Sequence, residues 1–382
     1  MRTPVWYNMS MKTYKYRIYP TKKQAQTMAD TLESCRILYN SALEQRKIAY
    51  RQFGVSLCRL NQQAELLEIK DYFPEYRQIY SQVLQEVILR VDRSFQNFFR
   101  RLKTNEKPGY PRYKGRGWYD SFTYPQSGFS LSDNSKGSQR LKLSKIGSIK
   151  IKLHRAIKGK IKTCTIKREI NNWYVCFSCE VEPELLPKTH KSVGVDVGIE
   201  KYAALSDGIL IENPRFMRQS EAKLKHEQRL LSRKKKGSNS RKKQRDKLAK
   251  LHCKIKNQRN DFLHKESRKL VKNYDVIVLE ALQIKNMGKN HHLAKCISDA
   301  AWAKFTEYLS YKAESAGKKV VFVNPRNTSQ ICSGCGETVK KSLSVRVHKC
   351  PSCGLILDRD INAAINILRL GTSPGGATAL AG

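Results

Sequence analysis

Aromatic and basic residues alternate along Tyr14-Lys15-Tyr16-Arg17-Ile18-Tyr19, a period of two that predicts a strand ending at Pro20. The period then lengthens. Thr21-Lys22-Lys23-Gln24 has the form of a capping box, in which a hydroxyl and an amide satisfy the free N–H groups of a helix start. Behind it Met28, Leu32, Cys35, Tyr39 and Ala42 recur at spacings of four and three, one face of a helix. Ile79, Val83, Val87, Val91, Phe95, Phe98 and Leu102 make a second stripe, with Arg90, Arg93, Arg100 and Arg101 mostly off it. Residues 21–104 therefore read as a helical bundle with basic edges. From Lys107 to Pro125, glycine and proline forbid a long helix, while Lys and Arg alternate with Tyr, Trp and Phe. Short strands follow, among them Ile161–Lys167 and Trp173–Glu180, joined through a hairpin turn at Asn171-Asn172. Residues 1–20 and 105–188 read as one β-rich module that the helices interrupt, with Pro187-Lys188-Thr189 as its exit linker.

The second half opens on Val193-Gly194-Val195-Asp196-Val197-Gly198. Tyr202–Leu205 and, after Asp207-Gly208, Ile209–Glu212 complete a meander of three short strands with an Asp in the first. Leu224, Leu231, Leu248, Leu251 and Ile255 predict two helices around the loop SRKKKGSNS. Tyr274–Glu280 is a buried strand ending in a carboxylate. Ser298 is placed to cap a helix running to Ser315 and stopped by Gly317, before a strand at Lys319–Val323. A last helix spans Asp360–Leu370, stopped by Gly371, and the tail 371–382 has the composition of a disordered segment.

Charge changes the picture more than length does. The 382 residues allow two or three domains. Their 73 Lys+Arg against 33 Asp+Glu give a net +40, an excess that self-repels unless a polyanion neutralises it. Residues 218–269 alone carry 20 Lys/Arg against 5 Asp/Glu. No apolar run approaches the roughly 18 residues of a membrane span, and the start lacks the apolar core of a signal peptide. A soluble cytoplasmic protein with a nucleic-acid partner and no membrane is expected; whether translation starts at Met1, Met9 or Met11 is left open.

Of the 11 cysteines, seven are scattered. The other four form Cys332-x-x-Cys335 and Cys350-x-x-Cys353, with 14 residues between the pairs. Each pair is a knuckle presenting two thiolates, and two knuckles complete a tetrahedron around Zn²⁺. Gly336 and Gly354 stand where each knuckle turns. Four thiolates leave no open coordination position, so the zinc is structural and catalysis must lie elsewhere. Lys340, Lys341, Arg346 and His348, between the pairs, are candidates for phosphate contact.

Acids inside apolar strands stand out in so basic a chain. Asp196 sits in VGVDVGI, Glu280 ends VIVLE, and Asp358 and Asp360 begin the last helix in LDRDINAA. A two-metal nuclease needs about three convergent carboxylates, because Mg²⁺ is held by one or two per ion plus substrate phosphate. The order strand-Asp, meander, strand-Glu, helix, Asp-helix is that of a ribonuclease-H-like sheet.

The stretches KYRIYPTKKQ, SFTYPQ, GVDVGI, KIKNQRNDFLHKESRKLV, VIVLEAL, NTSQICSGCG and CGLILDRDINAAINI, in this order over about residues 12–370, resemble TnpB, the transposon-encoded RNA-guided endonucleases related to type V CRISPR effectors. The resemblance implies a multidomain α+β chain. Residues 1–20 and 105–188 would be the β-rich wedge or barrel module, interrupted by the helical recognition bundle of 21–104. An RNase H-like (RuvC) α/β nuclease domain would span 189–326 and 355–370, with the zinc ribbon of 327–354 inserted. Asp196, Glu280 and Asp360 carry over as the catalytic acids holding two Mg²⁺ ions, Asp360 ahead of Asp358. Cys332, Cys335, Cys350 and Cys353 carry over as zinc ligands. The implied partners are a guide RNA from the transposon end and a double-stranded DNA target carrying a short flanking motif. A monomeric ribonucleoprotein in a prokaryotic cytoplasm, nucleoid-associated when on DNA, is expected. Gln85 and Thr123 are candidates for base edges. Arg112, Lys114, Arg233, Lys234 and Lys235 are candidates for nucleic-acid contact. A nuclease-inactive RNA-guided repressor would be expected to lack one of the acids, and a conventional transposase would carry no RNA.

Overall fold

The computed structural model describes residues 10–133, 139–342 and 345–373, which divide after Glu182 into two compact units. The possible start residues Met1 and Met9, and the tail beyond Ser373, lie outside the described residues.

In the first unit, strand β1 (Ser10–Tyr19) turns Tyr14, Tyr16 and Ile18 into the core and its basic residues out. Thr21 and Gln24 make the reciprocal cap, and helix α1 (Lys22–Phe53) runs from it to Gly54 at φ 66°. The short helices α2 (Arg59–Ala64) and α3 (Leu66–Tyr72) hold less than two turns each, too few for a periodic signal. Helix α4 (Ser81–Lys103) packs Val83, Val87 and Val91 into the core, but its stripe surfaces by Leu102. The buried Arg46 of α1 ties the bundle together through Gln62 of α2 at 2.8 Å and Asp92 of α4 at 3.1 Å.

Six strands follow: β2 (Ser121–Tyr124), β3 (Phe129–Asp133), β4 (Gln139–Leu143), β5 (Gly147–Lys152), β6 (Lys160–Glu169) and β7 (Asn172–Val181). With β1 they form one antiparallel sheet, ordered β2-β6-β7-β1-β5-β4-β3. The strand before the helices is thus the middle of a sheet otherwise built after them. The sheet curls: edge residue Tyr124 donates its hydroxyl to the Ser144 carbonyl at 2.9 Å, and Phe129 of β3 meets Phe177 of β7. The β6–β7 turn is Ile170-Asn171, one residue earlier than expected, with Ile170 at φ 57°. Trp173, Val175 and Phe177 must all face inward, and a one-residue slip would turn every one of them out. The register therefore imposes a left-handed conformation on a β-branched residue.

The second unit is a mixed sheet with helices on both faces. Strands β8 (Ser192–Val197), β9 (Lys201–Leu205) and β10 (Leu210–Glu212) form the antiparallel meander. Helices α5 (Phe216–Gln219), α6 (Glu221–Ser232) and α7 (Asn239–Asn273) lead to β11 (Val276–Glu280), which pairs parallel to β8. Helices α8 (Ile284–Met287), α9 (His291–Ala300) and α10 (Trp302–Ser315) lead to β12 (Lys319–Val323), parallel to β11. The sheet order is β10-β9-β8-β11-β12. Strands β13 (Val347–Lys349) and β14 (Ile356–Asp358) form a small hairpin before the last helix, α11 (Arg359–Thr372).

Four expectations need correction here. Ser298 caps nothing: it lies inside α9, and the helix breaks at Ala301, φ 53°, so that Ile297 and Ala300 as well as Trp302 and Phe305 reach the core. Gly371 does not stop α11 but lies within it, where a Cβ would fall 2.3 Å from Val278 Cγ1. Strand β14 pairs with β13, so the ribbon's backbone pairing runs past residue 354. Leu186, expected in the β-rich module, donates its N–H to Ala316 in the second unit.

Candidate active site and metal centre

Parity along the two central strands decides which side chains share a face. Val193 and Val195 of β8, with Ile277 and Leu279 of β11, enter the core formed with α7 and α10. The alternate positions, Gly194 and Asp196, Val278 and Glu280, therefore face the other way, toward α11. The parallel register pairs Val278 with Gly194 and Leu279 with Val195; Glu280 and Asp196 come one step further on. Helix α11 lies so close to β8 that a Cβ on Gly194 would fall 2.0 Å from the Ala364 carbonyl oxygen. The N-terminus of α11 is thereby brought to the strand ends, and a Cβ on Gly198 would stand 3.9 Å from Asp360 Oδ2.

Asp358 and Asp360 part company at this helix start. Asp358 is the N-cap, its Oδ1 accepting from the N–H groups of Asp360 (2.8 Å) and Ile361 (3.3 Å). Asp360 is one residue inside the first turn, with its carboxylate near Arg359 Nε at 3.3 Å and Arg346 Nη1 at 3.9 Å. Burial holds the Asp196 carboxyl well above the usual range; next come the like charges of Glu280 and Asp360, with Asp358 a smaller contributor and Arg359 opposing. Glu280 is also raised by burial, partly offset by a hydrogen bond from the Thr328 hydroxyl at 2.5 Å. Three acids thus press negative charge into one partly desolvated region, an environment that favours a bound cation. Their oxygens are not packed as tightly as the cysteine sulfurs described next.

The sulfurs of Cys332, Cys335, Cys350 and Cys353 all lie within 4.8 Å of one another, the one such donor group among the described residues. Cys332 and Cys353 are 3.6 Å apart and Cys335 and Cys350 3.5 Å, and all four are free thiols. Tetrahedral Zn–S bonds of about 2.3 Å imply sulfur spacings near ~3.8 Å, so the cluster fits such an ion. Gly336 and Gly354 turn the knuckles at φ 84° and 72°. Hydrogen bonds, the first from the Cys353 N–H, lower the Cys350 thiol, while its hydrogen-bonded partner Cys335 is raised.

The residues that dock this centre carried no sequence signal strong enough to single them out. Asn362 of α11 accepts from the Ser333 N–H at 2.8 Å and donates to the Ile331 carbonyl at 2.7 Å. Asn366 donates to Thr328 O and Ile331 O, and Arg369 to Ser333 O. Positions 362, 366 and 369 form a polar stripe on a helix whose other face is Ala363, Ala364 and Ile367. Its one trace in the sequence is two asparagines on a largely apolar helix, and their burial shows only in the structure. The stripe fastens the cysteine knuckle, the Thr328 loop and the Asp360 helix into one piece. His348 is fully buried against Lys341 and is no phosphate contact, while Arg346 pairs with Glu200 at 2.8 Å.

The remaining candidates vary in access. In the first unit Gln85 is exposed on α4, whereas Thr123 is 7% exposed, its hydroxyl shared between Arg90 and Thr165. Arg112 is exposed; Lys114 is half-buried, its backbone bonded to Asn40 and Arg36 and its ammonium over the Tyr39 ring. Trp118 is 81% exposed on the same loop. In the second unit Arg233 and Lys235 are exposed on the α6–α7 turn, and Lys234 leans on Gln244 at 3.5 Å.

The second unit is therefore an α/β sheet with convergent acids at its strand ends and, fastened beside them, a four-cysteine cluster able to hold a metal ion. Family models match three stretches: "Probable transposase" of the IS605 OrfB type at 176–291, "Cas12f1-like, TNB domain" at 302–367 and "Helix-turn-helix domain" at 9–54. A Streptomyces pristinaespiralis protein named "Putative RNA-guided DNA endonuclease" is 35% identical over 94% of this chain and 89% of its own length. An Escherichia coli K12 protein of the same name, InsQ, is 32% identical over 94% and 92%. The chain belongs to this TnpB family. Among solved structures, the mini-RNA-guided endonuclease Cas-phi3 aligns at TM-score 0.54 and 10% identity over 94% of this chain and 92% of its own, a likeness of fold. No helix among the described residues is long and apolar enough to cross a membrane.

Proposed function

We propose that this chain is an RNA-guided, metal-dependent DNA endonuclease of a bacterial transposon, cutting beside a short flanking motif. The observation that carries the reading is the convergence of Asp196 and Glu280 at the strand ends with Asp360 at the start of α11, where the charges of Glu280 and Asp360 add to burial in raising the cost of ionising Asp196. The strand order, a meander joined to two parallel strands, supports a ribonuclease-H-like assignment.

Asp196, Glu280 and Asp360 would hold Mg²⁺, and the four cysteines zinc. Bound at the acids, the Mg²⁺ ions supply a lowered pKa for the attacking water and charge stabilisation for the leaving 3′ oxygen. The chain's own part is positional. Thr328 orients Glu280, Asp358 holds the first turn of α11 so that Asp360 projects from it, and the asparagine stripe keeps both fixed. The net charge of +40 suits a guide RNA, and the basic α6–α7 hairpin suits the guide–target duplex. Gln85, Arg112, Lys114 and Trp118 would contact nucleic acid from the first unit, and the buried Thr123 orients Arg90. The active complex would be one protein with one RNA, acting on nucleoid DNA.

Asp196→Ala, purified with its RNA, should bind a matched target as wild type does and cut it at least about 1,000-fold more slowly. Wild-type cutting by that variant would remove the assignment, and a wild-type protein that purifies active without RNA would favour a conventional transposase.

A further inference from the structure

We propose that the cleft between the β8–β9 turn and the start of α5 is a phosphate subsite, taking a backbone phosphodiester of the DNA strand next to the bond that is cut. The proposal rests on the endonuclease reading for the identity of the ligand, and on the following observations for the site.

The cleft has a volume of about 570 Å³ and a polar lining that includes Lys201, Arg215, Arg218 and Gln219. Its two acids are already neutralised: Glu212 by Lys201 and Glu200 by Arg346 at 2.8 Å. Two guanidinium groups are left over. Arg218 is exposed, without an ion-pair partner among the described residues. Arg215 donates to the Glu200 carbonyl at 3.2 Å and likewise makes no ion pair among the described residues. A wall with its acids cancelled and two guanidiniums in excess selects an anion, and guanidinium is the group best matched to phosphate oxygens.

The wall is also built rather than loose. Asn213 donates to the Ile199 carbonyl at 2.7 Å and accepts from the Arg215 N–H at 3.1 Å, tying the two loops together. Arg215 is held at φ 48°, ψ 45°, a left-handed conformation that a residue with a Cβ adopts only at a cost. The place matters as much as the charge. Arg346 touches both Glu200, in the cleft wall, and Asp360, so cleft and acid lie on either side of one guanidinium group. A strand with its scissile phosphate at the acids would pass a neighbouring phosphate over Arg215 and Arg218.

The test compares wild type with Arg218→Ala and Arg218→Lys, each as the complete ribonucleoprotein, on targets carrying one neutral methylphosphonate at successive positions around the cut. Arg218→Ala should raise KM about ten-fold with kcat within about two-fold, Arg218→Lys should recover part of the loss, and the salt slope should fall by about 0.7. In wild type one methylphosphonate next to the cut should cost as much, and at that position alone it should cost Arg218→Ala nothing further. Additive losses at every position would overturn the subsite. So would reduced retention of RNA at unchanged KM, which would give Arg218 to the guide instead. Anisotropy with a labelled single strand in Ca²⁺ makes the same comparison without cleavage: equal affinities for wild type and Arg218→Ala refute the subsite. Absence of cutting by the wild type refutes the endonuclease reading, and the affinities still decide the cleft.

Discussion

Asp358 and Asp360 stand two residues apart, and their side chains meet different atoms. Asp358 gives its carboxylate to two backbone N–H groups, so replacing it removes a helix cap. Among the described residues Asp360 accepts from no backbone N–H of its helix, only from the Arg359 side chain at 3.3 Å, and its charge raises the proton affinity of Asp196. Asp358→Ala should lower stability by about 1 kcal/mol and leave most of the cleavage, whereas Asp360→Ala should abolish cleavage with little change in Tm. Thermal melts and single-turnover rates of the two variants side by side check this. Motif position ranked the two acids in the same order, but it contained no reason. The cap geometry supplies one.

At the scale of elements, α11 is the part on which the candidate site depends. It reaches the sheet because positions 194 and 371 carry no Cβ, so both strand and helix backbones come close. Gly194→Ala must push α11 off β8; the expected loss is about 1–3 kcal/mol, seen as a fall of several degrees in Tm. Cutting should suffer far more than RNA binding, because the same shift carries Asp360 away from Asp196. Gly194 was visible in VGVDVG as a residue type, and Gly371 was expected to end a helix. Neither could be read as a packing surface before the opposing backbone was in place.

For the whole molecule the charge and the cysteine centre make separable predictions. Removing zinc with a strong chelator should expose four titratable thiols and abolish cleavage, since the knuckle is bonded to the helix that bears Asp360. Restoring zinc, and not Mg²⁺ alone, should restore activity. Removing only Mg²⁺ should stop cutting without exposing any thiol. A thiol assay run beside the cleavage assay distinguishes the two.

The elements of both units were largely legible, because strands, caps and helix stripes rest on local periodicity. Short helices such as α2 and α3, the break at Ala301 and the turn at Ile170 were not: the first are too short to repeat, and the others answer to contacts far away in the chain. The four zinc-type ligands needed only spacing, since a knuckle is made within four residues. By itself the sequence determined the chain's charge, its cysteine knuckles and the four acids, Asp196, Glu280, Asp358 and Asp360, that stand in apolar strands or open the last helix. Only the tertiary structure decided that Asp196 and Glu280 share a face, that Asp358 caps while Asp360 stays free of the helix backbone, and that Asn362 and Asn366 bind the knuckle to that helix. The reason is physical. Parallel register, helix-to-sheet approach and side-chain docking join residues tens to more than a hundred positions apart, and no periodicity along the chain encodes such distances.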